Sequence, residues 1–153
     1  MIAAWRIVKR KHLKSAFTGD GARLYGGRWN SPGRAVVYTA QSVSLAALEL
    51  LVHLETADIL RHYVVVELRW PREFMESVAR AGLPGNWAGY PPPLQLRELG
   101  DNWAAERRTA VLEVPSAVVP TERIYLLNPA HREFAQIRIG EPVPSRFDRR
   151  LRR

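Results

Sequence analysis

The sequence has 153 residues, 46% hydrophobic and 25% charged, with no cysteine and a formal net charge of +8. That length holds one domain and excludes two comfortable ones, and the balance of apolar and charged residues excludes an intrinsically disordered chain. The lack of cysteine excludes a disulfide framework and a thiolate metal site, and no run approaches the roughly 18 apolar residues of a spanning helix.

No long apolar segment follows Met1–Arg6, so no signal peptide is expected and the protein is placed in the cytoplasm. Arg6, Lys9, Arg10, Lys11 and Lys14 crowd one end, and Arg146, Arg149, Arg150, Arg152 and Arg153 the other. These clusters are either solvated termini or a docking surface for an acidic protein or nucleic acid.

In chain order, Ala3–Val8 reads as a strand with Trp5 and Ile7 on one face. Lys9–Gly21 is polar and expected to be irregular, with a turn at Gly19-Asp20-Gly21. A glycine-bracketed loop, Gly26–Gly33, then feeds a buried strand at Ala35–Tyr38. Ser42 or Ser44 caps an apolar helix to about Thr56, read as a central one. Tyr63–Leu68 is the clearest strand, β-branched and bounded by Trp70-Pro71. A short helix is expected from Pro71 to about Arg80, then a loop or lid over Leu83–Pro93. Leu94–Thr109 reads as helix, broken near Gly100-Asp101. Strands are expected at Ala110–Val114, Val118–Pro120 and Ile124–Leu127, a helix from Asn128-Pro129 toward Ile137, and an edge strand after Glu141. Strands and helices interleaved irregularly give an α+β fold, with residues 1–153 as one domain.

Three residues stand out chemically. Arg28, on a glycine-rich turn, can fork onto a phosphate or carboxylate. Glu49 lies among Leu45, Ala46, Leu48, Leu50 and Val52, where a carboxylate needs a partner such as Arg28, or a task requiring a shielded negative charge. Tyr38, at a strand end, is either a core aromatic or a face on which a flat ring can stack. Ser116 follows Val114-Pro115 without a Gly-x-Ser-x-Gly context, so a hydrolase nucleophile is not indicated. The loop is neither a Walker A nor a dinucleotide fingerprint. His12, His53, His62 and His131 lack metal-ligand spacing, and His53 is expected to be a core histidine. The five tryptophans are scattered rather than arrayed for stacking on nucleic acid.

Gly26-Gly27-Arg28-Trp29-Asn30-Ser31-Pro32-Gly33 is followed by Val36-Val37-Tyr38-Thr39-Ala40 and by Ser44-Leu45-Ala46 with Glu49. Val111-Leu112 with Val114-Pro115-Ser116, and Leu126-Leu127-Asn128-Pro129-Ala130-His131, come later. In this order the motifs resemble the RES domain family, named for an arginine, a glutamate and a serine, here Arg28, Glu49 and Ser116. The resemblance spans about Trp5 to Ile139. It implies a fold similar to ADP-ribosyltransferase toxins, a mixed β core with flanking helices. It implies the toxin of a bacterial type II toxin–antitoxin pair that consumes NAD as substrate, breaking the nicotinamide–ribose bond. The acceptor is water, phosphate as co-substrate, or a protein side chain; no metal is implied. The implied partner is an Xre-type helix-turn-helix antitoxin that blocks the NAD pocket and through which alone DNA is reached, within a complex that can hold a toxin homodimer. On this resemblance Arg28 clamps the diphosphate and Glu49 stabilises the oxocarbenium-like state. Tyr38 stacks on nicotinamide, Ser116 holds the nicotinamide ribose or amide, and Asn128 shapes the pocket floor. Ala47 stands two residues before Glu49, where transferases of this fold that modify arginine often carry another glutamate; this leans against arginine modification.

Overall fold

The computed structural model describes residues 1–53 and 62–151. Eight strands form one mixed sheet: β1 (Ile2–Lys9), β2 (Val37–Ala40), β3 (Tyr63–Trp70), β4 (Met75–Ser77), β5 (Val111–Pro115), β6 (Arg123–Leu127), β7 (Arg138–Ile139) and β8 (Val143–Pro144). The order is β4-β5-β6-β2-β1-β3-β7, with β8 also on β3. β4–β5 is parallel, whereas the other pairings are antiparallel. The helices are α1 (Asp20–Tyr25), α2 (Val43–Leu51) and α3 (Leu94–Glu106). Among the described residues, no helix is long and apolar enough to cross a membrane.

Strand alternation gives the sheet two apolar faces. Ile7, Val65, Leu112, Val114 and Leu126 meet Leu45, Ala46 and Ala47 of α2 and Leu96 and Trp103 of α3 on one face. Ala4, Val37, Leu68, Trp70 and Leu127 pack with Phe74 and Ile137 on the other. α2 starts where Ser42 Oγ accepts a hydrogen bond from Leu45 N at 3.0 Å. Its inner face is small and apolar, so the helix sits close on the sheet. Its outer face is not covered: Leu48 is 43% and Val52 60% exposed, so α2 is a flanking helix rather than a central one. Its described part ends at Leu51, and Thr56 lies outside the described residues.

Several local expectations yield to tertiary pairing. Residues 71–80 do not form a helix, because Met75–Ser77 pairs with Val111–Glu113 after a 3-10 turn at Arg72–Phe74. Val118–Pro120 is not a strand, because Val118 N and Val119 N turn inward onto the Ser116 hydroxyl. Asn128-Pro129 opens turns and a 3-10 segment at Phe134–Gln136, not a helix, since the Asn128 side chain holds Ala104 O and Ala130 N. α1 forms where only a turn is expected, and Lys9–Gly21 also contains a 3-10 segment at Arg10–Ser15. Arg6 leaves the N-terminal basic cluster. Its Nε donates to Ala16 O at 2.9 Å and its Nη1 to Tyr38 O at 2.8 Å, and burial lowers its pKa to about 10. Arg10, Lys11, Lys14, Arg146 and Arg150 are exposed, while Arg152 and Arg153 lie outside the described residues.

α3 is continuous through Gly100, which marks a contact rather than a break. A Cβ there would lie 1.7 Å from Trp29 O, so the helix backbone rests directly on the Arg28 loop. Gly100→Ala is expected to force the two apart and cost about 3 kcal/mol. Gly85→Ala, at a site with nothing within 4 Å of the added atom, should stay within about 0.5 kcal/mol of the parent. Urea unfolding midpoints check the pair; equal midpoints would contradict the packing.

Candidate active site

The Arg28 loop is fixed from within and from α3. Asn30 is fully buried, and its Nδ2 donates to Ala22 O, Ser31 O and Arg34 O at 2.9, 3.2 and 3.1 Å. Its Oδ1 accepts from the Tyr38 hydroxyl at 2.7 Å, and that hydroxyl accepts from Trp29 N at 3.0 Å. Gly27 makes this possible, because a Cβ there would sit 2.6 Å from the Tyr38 oxygen. From α3, Arg97 Nε donates to Gly27 O at 3.0 Å, and Asp101 Oδ1 accepts from Ser31 N at 2.9 Å. Burial drives the Tyr38 pKa upward, so the phenol stays protonated and keeps its donor role.

Arg28 itself is half-buried. Its Nη1 donates to Trp87 O at 3.0 Å and Gly89 O at 2.8 Å, so the 83–93 loop clasps one corner of the guanidinium. Nε and Nη2 make no hydrogen bond among the described residues, which leaves one edge of the fork for an anion. Burial lowers its pKa first, and the charge of Glu49 opposes that shift.

Glu49 is also half-buried, and its partner is Ser116 rather than Arg28. Ser116 Oγ donates to Glu49 Oε1 at 2.7 Å and accepts from Val118 N at 3.1 Å and Val119 N at 3.0 Å. Ser116 is 0% exposed. Its one hydrogen and both lone pairs are engaged, so it has no capacity left to grip a substrate. It orients the carboxylate, and Glu49 Oε2 has no hydrogen bond among the described residues. The same turn holds the start of α2: Ser116 N donates to Glu122 O at 3.0 Å, and Glu122 Oε1 accepts from Ser42 Oγ at 3.2 Å.

Arg28 and Tyr38 thus belong to one braced loop and Glu49 and Ser116 to one hydrogen-bonded pair, with the charge of Glu49 bearing on Arg28; the Tyr38 hydroxyl is spent on the loop, and only its partly exposed ring is left to meet a ligand. Asn128 does not join them. Its N donates to Ala110 O, at the opposite end of the β5–β6 ladder from Ser116, about 20 Å along β6. It is 2% exposed with its amide bonded to Ala104 O, so it ties β6 to the end of α3 and does not floor the pocket. His53 is exposed, not a core histidine, whereas His131 is buried and its Nδ1 accepts from Glu133 N. Sequence reasoning missed Asn30, Arg97, Asp101 and the Trp87 and Gly89 carbonyls. Only Asn30 carried a signal, as an amide in a Gly/Pro turn.

A family model described as the RES domain matches residues 3–148. The chain belongs to the RES domain family. This RES domain is 38% identical over 149 residues to "Toxin Res" of Yersinia enterocolitica, covering 97% of this chain and 98% of that protein. It is 37% identical to the "Prs ADP-ribosylating toxin" of Sphingobium sp., over 96% of this chain and 94% of that protein. Its fold matches a chain in the crystal structure of the M. tuberculosis MbcT–MbcA toxin–antitoxin complex with a TM-score of 0.71. The match covers 94% of the RES domain and 83% of that chain at 18% identity. In this RES domain Ser116 is joined to Glu49 by a hydrogen bond, and the negative charge of Glu49 opposes the lowering of the Arg28 pKa by burial. The brace behind them is testable. Tyr38→Phe leaves Trp29 N and Asn30 Oδ1 without their partner, so it should lower stability by about 1–3 kcal/mol; an unchanged urea midpoint would contradict the bracing role.

Proposed function

We propose that this RES domain is the toxin of a bacterial toxin–antitoxin pair and that it consumes NAD in the cytoplasm by breaking the nicotinamide–ribose bond. One observation carries the reading: Ser116 clasps one oxygen of Glu49, and among the described residues the other oxygen and one edge of the Arg28 fork make no hydrogen bond. Arg28 Nε and Nη2 suit a diphosphate oxygen. Glu49 Oε2 suits the positive charge that develops at the ribose anomeric carbon as the bond to nicotinamide lengthens. Nicotinamide departs from its pyridinium as a neutral ring, taking the bonding pair and needing no proton. A single carboxylate therefore suffices, and Glu122 is turned away onto Ser42. Water, releasing a proton to solvent, or a phosphate oxygen then bonds to the anomeric carbon, giving ADP-ribose or its 1-phosphate. The relatives named "Toxin Res" support the toxin role, and the toxin–antitoxin complex of the structural neighbour supports an antitoxin partner. The partner we propose is an Xre-type helix-turn-helix antitoxin, with DNA bound through it and the toxin paired as a homodimer within the complex.

A second acceptor has its own support. The relative named for ADP-ribosylating Prs favours transfer of ADP-ribose to a protein side chain from the same pocket. Incubating antitoxin-free protein with NAD, with and without phosphate, and identifying products by mass spectrometry separates the cases. Free nicotinamide with ADP-ribose or ADP-ribose 1-phosphate supports the first reading. A labelled protein without bulk NAD loss moves the assignment to transfer. Observing neither product would overturn both readings.

Glu49→Gln keeps the shape and removes the charge, so nicotinamide release is expected to fall on the order of 10³-fold with the fold retained. Ser116→Ala frees the carboxylate to swing, and on the order of 10–100-fold in kcat is expected, with little change in KM. A KM effect without a kcat effect would instead make Ser116 a substrate ligand.

A further inference from the structure

The 83–93 loop is held firmly yet displays one ring to solvent. Trp87 N donates to Pro84 O at 3.0 Å and Gly89 N to Asn86 O at 2.9 Å, so its two turns are closed. The Arg80 guanidinium lies 5.2 Å from the Trp87 ring centroid. Arg28 grips Trp87 O and Gly89 O from the site side. The next residue, Tyr90, is 89% exposed, with no hydrogen bond among the described residues. Pro91, Pro92 and Pro93 lead from it straight into α3, so little chain freedom separates it from the helix that rests on the Arg28 loop. Two tyrosines are exposed by more than four-fifths, Tyr25 at 81% and Tyr90 at 89%, and of the two it is Tyr90 that directly follows a residue whose carbonyl the Arg28 guanidinium holds, Gly89 O at 2.8 Å.

Two groups of residues bear on Arg28. Glu49 and Ser116 come from α2 and the end of β5, and they face the bond that breaks in the proposed reaction. The loop bearing Tyr90 holds Arg28 directly, its Trp87 and Gly89 carbonyls both accepting from Nη1. A dinucleotide has the same order: a reacting ribose, a diphosphate, then a nucleoside. We infer that Tyr90 is the adenosine-side wall of the site, its ring stacking on the purine of the substrate while Arg28 holds the diphosphate. This rests on the NAD reading above. It makes the loop a fixed platform that selects for a nucleoside beyond the diphosphate, rather than a lid that closes over the reacting bond. A flat ring face gives affinity for a base without using the Tyr90 hydroxyl.

Steady-state turnover of NAD and of nicotinamide mononucleotide, which lacks the adenosine half, tests the assignment. Tyr90→Ala should raise KM for NAD on the order of ten-fold with kcat unchanged, and Tyr90→Phe should stay within about two-fold. With nicotinamide mononucleotide, Tyr90→Ala and the parent should match. An unchanged KM for NAD in Tyr90→Ala would overturn the inference, and so would an equal loss on both substrates, since the ring would then serve the nicotinamide half. Calorimetric titration with ADP-ribose needs no turnover and keeps the two readings separable. A parent protein that binds ADP-ribose without consuming NAD, with affinity falling about ten-fold in Tyr90→Ala, would sink the enzyme reading and sustain the Tyr90 wall. A parent and variant of equal affinity would sink the wall alone.

Discussion

The hydrogen bond from Ser116 Oγ to Glu49 Oε1 joins the two halves of the site and sets what each can do. It fixes a carboxylate on a helix to a hydroxyl at a strand end, residues 67 apart in sequence. Two backbone N–H groups hold the same hydroxyl from behind, so the proton has one acceptor to serve and the serine has one orientation. The carboxylate is thereby aimed while its second oxygen makes no hydrogen bond among the described residues. A carboxylate among leucines would otherwise need a full ion pair, and an ion pair with Arg28 would use up both charges. Handing Glu49 to a neutral donor leaves the arginine and the glutamate both available to a ligand.

Arg28 depends on a different kind of support. Its loop buries Trp29 in the core, and polar contacts set the shape of the rest: Asn30 bonded in every direction, the Tyr38 hydroxyl beneath Gly27, and Arg97 and Asp101 of α3 on the rim. Gly100 allows that helix to touch the loop backbone directly. The guanidinium is then clasped by two carbonyls of the 83–93 segment, which bring orientation without neutralising charge. Three separate stretches of chain thus converge on one arginine, which is consistent with a site meant to hold an anion in a set direction.

The parts of this arrangement written locally were legible in the sequence. Tyr63–Leu68, with its run of valines, lies within the β3 strand, and Ser42 caps α2. Arg28 on its glycine turn, and Glu49 out of place among leucines, were visible as chemistry, and the ordered motifs pointed to the RES family. What the sequence hid was written in pairing across distance. Nothing near Glu49 announces that a serine far along the chain is its partner. Arg6 reads as one more basic residue near a terminus, yet the sheet carries it inward to two carbonyls. Backbone carbonyls at Trp87 and Gly89 leave no trace in residue identity. Asn128 shows the converse: its motif is real, but its task is to fasten β6 to the end of α3.

The central claim is that Ser116 acts through Glu49 and not on the substrate. A double-mutant cycle on nicotinamide release, using Ser116→Ala, Glu49→Gln and the double variant, measures that coupling directly. The account predicts strong non-additivity, with Ser116→Ala costing almost nothing further once the Glu49 charge is gone. Additive losses would contradict it, because the hydroxyl would then have a role of its own at the reacting centre.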